Sequence, residues 1–126
     1  MKLIYLSMFV FIGCSSYSNN VPNQSTLLPP QVVINNPKLQ KEITIGVGSD
    51  RTNENDIMEA FVNVTNNTDK EATLYYRFRW FDVEEYEVGE NMSMWKPIFL
   101  GAKDFKKVVG VAPTPKADNF KFYIKK

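Results

Sequence analysis

Residues 72–82 read ATLYYRFRWFD, and they decide the fold because their two faces separate cleanly in an extended chain. Side chains alternate along a β-strand, so one face is apolar and aromatic: Leu74, Tyr76, Phe78 and Trp80. The opposite face carries Tyr75, Arg77, Arg79 and Phe81. Unpaired arginines are not buried in an apolar core, so the first face points inward. A slip of one residue would bury both arginines, which fixes the register.

The preceding segment, residues 57–65, shows the same alternation. Its apolar face carries Met58, Ala60, Val62 and Val64. The polar residues 66–70, NNTDK, lie between the two segments and are typical of a turn. This arrangement predicts an antiparallel hairpin whose two inner faces form the centre of the core.

The rest of the pattern also predicts strands. They cover residues 32–34, 43–47, 92–100, 105–111 and 119–125. Pro97 lacks a backbone N–H and predicts an edge strand or bulge, and Gly89 is expected at a positive-φ position. No segment longer than about eight residues has helical periodicity. We therefore expect an all-β, single-domain protein in which the domain covers residues 31–126.

Composition excludes several function classes. The 126 residues include 15 basic and 14 acidic ones, and a net charge of +1 gives no reason to expect nucleic-acid binding. There is no histidine, which removes the commonest general base and metal ligand. Neither a phosphate-binding loop nor a nucleophile elbow is present. We expect no catalytic residues, no cofactor and no metal.

The N-terminus predicts export and lipidation. A basic start is followed by a mostly apolar run, residues 3–12, which is too short to span a bilayer and has the length of a signal-peptide core. The run ends FIGC, which resembles a bacterial lipobox and makes Cys14 the lipidated residue after cleavage of residues 1–13. The alternative is an ordinary signal peptide with a chance cysteine. Ser15, by the same resemblance, favours the outer membrane over the inner one, facing the periplasm.

Residues 15–30, SSYSNNVPNQSTLLPP, are uncharged and rich in Ser, Asn and Pro. Such composition predicts a flexible tether with a reach of roughly 20 Å. Together with Cys14 they form the segment 14–30 between signal peptide and domain.

Two motifs resemble the YcfL-like periplasmic lipoproteins of bacteria. One is LYYRFRWFD, residues 74–82. The other is APTPKADNFKFYI, in which Ala112, Pro113, Ala117, Phe120 and Tyr123 match. The resemblance covers residues 31–126 and the lipobox. It implies an immunoglobulin-like antiparallel β-sandwich with no established enzymatic activity, so no catalytic residue is carried over.

The outward face of the predicted hairpin is the candidate binding site. It carries Phe61, Tyr75, Arg77, Arg79 and Phe81, with Asp56 and Glu59 on the paired strand. These residues would form either a structural sheet face with cross-strand ion pairs or a protein-docking surface, because Tyr, Phe and Arg are frequent in binding hot spots. Trp95 is a second candidate. The acidic residues 82–90 form a solvated loop or, alternatively, a cation site.

Two functional hypotheses follow. In the first, the protein is a non-enzymatic adaptor that is anchored in the lipid bilayer through acylated Cys14 and binds an envelope protein through its sheet face or edge strands. In the second, it binds peptidoglycan or another envelope glycan, with Trp95 and Tyr75 as stacking platforms. An enzyme is the least supported class.

Overall fold

The computed structural model describes residues 28–48 and 51–126. Within these residues one short helix and nine strands follow in chain order: β1 (Val32–Val33), α1 (Pro37–Glu42), β2 (Ile43–Val47), β3 (Arg51–Thr52), β4 (Met58–Asn66), β5 (Ala72–Phe81), β6 (Glu87–Val88), β7 (Lys96–Leu100), β8 (Phe105–Val111) and β9 (Asn119–Lys125). A one-turn 3₁₀ helix, Glu90–Met92, precedes β7. No helix in the described residues is long and apolar enough to cross a membrane.

The strands form two sheets, which confirms the all-β sandwich. In sheet A, β9 lies between β1 and β5, and β6 and β7 follow one another along the far side of β5. In sheet B, β4 is central, with β8 on one side and β2 and β3 on the other. Between the strands that the structure describes, every pairing is antiparallel except that of β1 with β9. Pro97 lies on β7, which among the described strands pairs only with β5, so the predicted edge position is confirmed.

The core lies between the inner faces of the two sheets, and β5 has the predicted register. Leu74, Phe78 and Trp80 are buried, and Tyr76 packs against the core. On β9 the inward residues are Phe120, Phe122 and Ile124, also as predicted. The rings interlock: the ring centroids of Phe78 and Phe122 are 5.1 Å apart. Such pairs add about 0.5–1.5 kcal/mol beyond area burial.

The predicted hairpin of residues 57–65 and 72–82 is wrong. Its strands correspond to β4 and β5, which lie in different sheets and face each other across the core. Asn66 ends β4, and its side-chain amide donates to the carbonyl oxygens of Lys70 (2.7 Å) and Gly101 (2.9 Å). These bonds hold the connection as it crosses between the sheets. Alternation defines which face of a strand is buried, but it does not say which strand lies beside it.

Two smaller corrections concern the loops. Residues 92–95 are not part of a strand, because the chain forms the 3₁₀ turn first and β7 begins at Lys96. The acidic connection after β5 is solvated at Glu84, Glu85 and Glu90, as predicted, but Glu87 and Val88 form the strand β6 within it. Gly89 has φ = 66°, as predicted, and Glu85 also has a positive φ of 71°.

Gly110, on the inward side of β8, lets sheet B approach the central ring of sheet A. A Cβ at this position would lie 2.6 Å from the ring of Phe78. We expect Gly110→Ala to lower the free energy of unfolding by about 1–3 kcal/mol, because the ring is held by other buried aromatics and has little room to move. Urea titration of the folded chain measures this loss.

Gly46 provides the matched control, because a Cβ there meets nothing within 4 Å. Gly46→Ala should leave the unfolding free energy within about 1 kcal/mol of the wild-type value, and restriction of the unfolded chain favours a small gain. Equal losses in the two variants would contradict the packing argument.

Candidate functional site

The outward side of sheet A carries a cluster that we call the cation–aromatic face. Its members come from β5, β6, β9 and the segment before β7: Tyr75, Arg77, Arg79, Phe81, Glu87, Trp95, Lys121, Tyr123 and Lys125. The pairing of β5 with β9 places Arg77 opposite Tyr123 and Arg79 opposite Lys121. Cations and aromatic rings therefore alternate across two neighbouring strands.

Arg77 is the central residue of this face. Its guanidinium carbon lies 4.7 Å from the ring centroid of Trp95 and 5.5 Å from that of Tyr123. Its Nε is buried and has no hydrogen-bond acceptor among the described residues. No ion pair to Arg77 occurs in the described part of the chain. The guanidinium is therefore held by rings rather than by a direct ion pair, and the Glu87 carboxylate acts on it only through longer-range attraction. Each ring contact contributes about 0.5–2 kcal/mol.

Trp95 is half-buried on this face and has two cations against its ring. Besides Arg77, the Lys125 ammonium lies 4.2 Å from its centroid. Trp95 and Lys125 also line a groove of about 350 Å³, together with Asn35, Arg77 and Tyr123. The groove thus offers side-chain cations, an amide and aromatic edges to a ligand.

Arg79 differs from its neighbour because it has an acidic partner. Its guanidinium makes a two-point ion pair with the Glu87 carboxylate, in which Nη2 contacts Oε1 and Nε donates to Oε2 at 3.0 Å. It also lies 5.4 Å from the centroid of Tyr123. The hydrogen bond to Glu87 raises the pKa of Arg79, and the hydrogen bond from Arg79 holds the pKa of Glu87 below its usual value.

The face as a whole is positive. Four of its defining side chains are cationic, namely Arg77, Arg79, Lys121 and Lys125, and one, Glu87, is anionic. Glu87 forms its ion pair with Arg79 and also interacts electrostatically with Arg77, so one carboxylate faces four cations on the described face. Lys121 instead lies 5.5 Å from the centroid of Phe81. This arrangement favours an anionic ligand.

The structure brings together most of the predicted site residues but not all. Tyr75, Arg77, Arg79, Phe81 and Trp95 share the cation–aromatic face. Phe61 does not, because β4 belongs to sheet B, where the Lys107 ammonium lies 4.8 Å from its ring centroid. Glu59 is on that sheet too, so the expected ion pairs from the strand of Glu59 to the arginines do not form. Cys14 lies outside the described residues.

Sequence reasoning missed two residues that organise the face. Tyr123 contacts both arginines, and Glu87 pairs with Arg79. The alternation of residues 119–125 did place Tyr123 outward, but the adjacency of β9 and β5 had no local sequence signal. Glu87 was grouped with the acidic connection. Within the described residues, that connection supplies no cluster of three or more metal-ligating side chains.

Comparison with known proteins identifies the family. A family model described as a protein of unknown function, DUF1425, matches residues 30–126. The chain belongs to the DUF1425 family. No curated protein matches this DUF1425 chain.

Two solved structures share the fold of the DUF1425 domain. A DUF1425 family member from Shewanella sp. pv-4 superposes with a TM-score of 0.62 at 19% identity, covering 67% of this chain and 77% of that one. Campylobacter jejuni cj0090 superposes with a TM-score of 0.57 at 18% identity, covering 77% of this chain and 98% of that one. At these identities the likeness establishes the sandwich fold.

The Arg79–Glu87 pair predicts a specific pH dependence of stability. The pKa of Glu87 is lower in the folded chain than in the unfolded one, so its contribution is complete above the unfolded pKa of about 4.3 and is lost as pH falls through the folded pKa. Glu87→Gln should therefore lower the urea midpoint at pH 7. The difference in urea midpoint between wild type and variant should be smaller at acidic pH. Titrations at neutral pH and near pH 3 measure both effects.

Glu84→Gln is the matched control, because Glu84 is an exposed acid in the same connection. It tests whether the loss of any negative charge produces the same result. If the difference in urea midpoint between wild type and Glu87→Gln stays constant with pH, the proposed contribution of the ion pair is contradicted.

Proposed function

We propose that this DUF1425 protein is a lipid-anchored, non-enzymatic binding module of the bacterial cell envelope, and that it docks an acidic segment of an envelope protein on the cation–aromatic face. The observation that carries the proposal is the state of Arg77, which is fixed between Trp95 and Tyr123 and makes no ion pair among the described residues. A positioned guanidinium of this kind is suited to a carboxylate, because its donors form a planar fork.

The residue types of the face support a protein partner. Tyr, Trp and Arg are enriched in interface hot spots, where a few well-packed side chains carry most of the binding energy. Rings already pack against the arginines, so less conformational freedom is lost on binding than with free side chains. Uncompensated positive charge would also accelerate encounter with an acidic partner and make the association sensitive to salt.

The envelope location rests on the N-terminal sequence and on resemblance. Residues 11–14, FIGC, resemble a lipobox, and the tether-like residues 15–30 separate Cys14 from the domain. Membership of the DUF1425 family is compatible with the YcfL-like resemblance of the two motifs. We assign acylation to Cys14 and place the domain on the periplasmic side of the outer membrane.

Glycan binding is the competing hypothesis, in which Trp95 and Tyr75 stack on sugar rings. Stacking requires an accessible ring face, and the Trp95 ring has both Arg77 and Lys125 against it. Tyr75 is more open, at 39% exposed. The face is thus better prepared for anionic groups than for the neutral faces of sugars.

In-cell photocrosslinking tests the proposal. Photoreactive residues at Tyr75 and Lys121 should capture the same envelope protein, and one at Asn63, which is exposed on sheet B, should not. Arg77→Ala should reduce the adduct about tenfold or more, since loss of a hot-spot residue costs at least about 2 kcal/mol. Mass spectrometry of the adducts identifies the partner.

Arg77→Lys is the matched control, because it keeps the charge but loses the planar fork, and it should recover only part of the adduct. A parallel pull-down with purified sacculi tests the alternative. Retention on sacculi that disappears in Trp95→Ala, combined with no protein adduct from Tyr75 or Lys121, would replace the adaptor proposal with glycan binding.

A further inference from the structure

The edge of sheet B formed by β8 carries a second binding feature. It borders the cation–aromatic face, because Arg77 lines both the groove of that face and the cleft beside β8. β8 spans seven residues and pairs only with β4 within the described chain. The other edge strands are less suitable as templates: β1, β3 and β6 have two residues each, β2 has five and contains Gly46, and β7 has five and contains Pro97. β8 is therefore the longest unpaired edge in the described part of the fold.

The hydrogen-bond pattern identifies which backbone groups of β8 are unpaired. The Ala112 N–H donates to the Met58 carbonyl oxygen, and bonded residue pairs alternate along an antiparallel ladder. Val108 and Gly110 therefore point their N–H and C=O groups toward β4. Lys107, Val109 and Val111 point theirs away from it, toward the edge.

A cleft of about 210 Å³ opens directly beside this edge. One wall is the C-terminal half of β8, and the other is the segment from the 3₁₀ turn to the start of β7. Tyr76, Phe78 and Trp80 form its floor. The side chains at its rim are unusually exposed for apolar residues: Met92 71%, Met94 68%, Val111 56% and Val109 47%. Flexible methionines at a rim adapt to different apolar side chains.

We propose that β8 binds an extended acidic–apolar peptide segment of a partner protein by strand addition. The partner's backbone would pair with the outward groups of Lys107, Val109 and Val111, and an apolar side chain beside Gly110 would enter the cleft. The charges select an acidic partner, because Arg77 and Lys96 line the cleft and Lys106 lies on the strand. No carboxylate among the described residues lines the cleft.

Gly110 explains why the cleft and the edge meet at one point. Its missing side chain lets the Phe78 ring come up to the strand, since a Cβ there would lie 2.6 Å from the ring. A side chain of an added strand that lies beside Gly110 would therefore contact the Phe78 ring, because no side chain of β8 lies between them at this position. Lysines on an edge strand also oppose parallel, in-register pairing with a second copy of β8, because Lys106 and Lys107 would then lie opposite their counterparts.

The test uses the full chain and a synthetic peptide of about ten residues, the length of a long strand, that alternates valine and threonine and carries two glutamates at one end. At a peptide concentration about ten times Kd, amide exchange at Lys107, Val109 and Val111 should slow about tenfold. The exchange rates of the Val108 and Gly110 amides, whose N–H groups point toward β4, should change little, since pairing with β4 already protects them. Exchange followed by NMR resolves the individual amides.

Val109→Pro removes one outward N–H without removing a bond to β4, because that N–H points away from the sheet. It should weaken peptide binding about tenfold or more, because a backbone acceptor of the peptide then has no donor. Val109→Thr is the matched control, since it keeps the N–H and a β-branched side chain, and it should bind within about threefold of wild type. NMR spectra of the free variants show whether each is folded.

A peptide with lysines in place of the glutamates tests the charge selection without any change in the protein, and it should bind about tenfold more weakly at low salt. Lys125, unlike Arg77, lines the groove of the cation–aromatic face and not the cleft. Lys125→Ala should therefore bind the acidic peptide as wild type does, which separates the two sites. Equal affinity for both peptides, protection confined to β7, or a free-chain dimer with β8 amides already protected would overturn the proposal.

Discussion

The register of β5 is the constraint on which the rest of the structure depends. Arg77 and Arg79 cannot be buried without partners, so the strand must present Leu74, Phe78 and Trp80 to the core. β9 then aligns Phe120 and Phe122 against the same core rings. The same register sends Tyr123 outward beside Arg77. The inner core and the outer cation–aromatic face are thus two consequences of one alternation.

The buried face of each strand could be predicted from the sequence, but the strands that lie beside it could not. Alternation in β4, β5 and β9 correctly separated buried from exposed side chains, because burial depends on each strand's own pattern. The predicted β4–β5 hairpin failed because a polar turn fits both a hairpin and a crossing between sheets. The deciding contacts of Asn66 reach Gly101, which is 35 residues away in sequence. Such a long-range bond has no local signature.

The candidate site shows the same division. Arg77 and Trp95 were identifiable as exposed residues of interface-forming types, but their contact required the chain to fold back after the 3₁₀ turn and place Trp95 over β5. Phe61 was assigned to the face only because of the incorrect hairpin. Glu87 was assigned to a solvated loop because acidic runs usually are solvated, yet the two-residue strand β6 brings it to Arg79.

The two sheets limit self-association through their edge strands in different ways. Sheet A is interrupted at its free edge, since β6 and β7 are short and Pro97 lacks an N–H. Sheet B keeps a continuous edge in β8 but places Lys106 and Lys107 on it. Charge, unlike a proline or a bulge, discourages pairing with similar strands and permits pairing with acidic ones. An edge protected in this way remains competent to bind a chosen partner, whereas an edge blocked by geometry is closed to all of them.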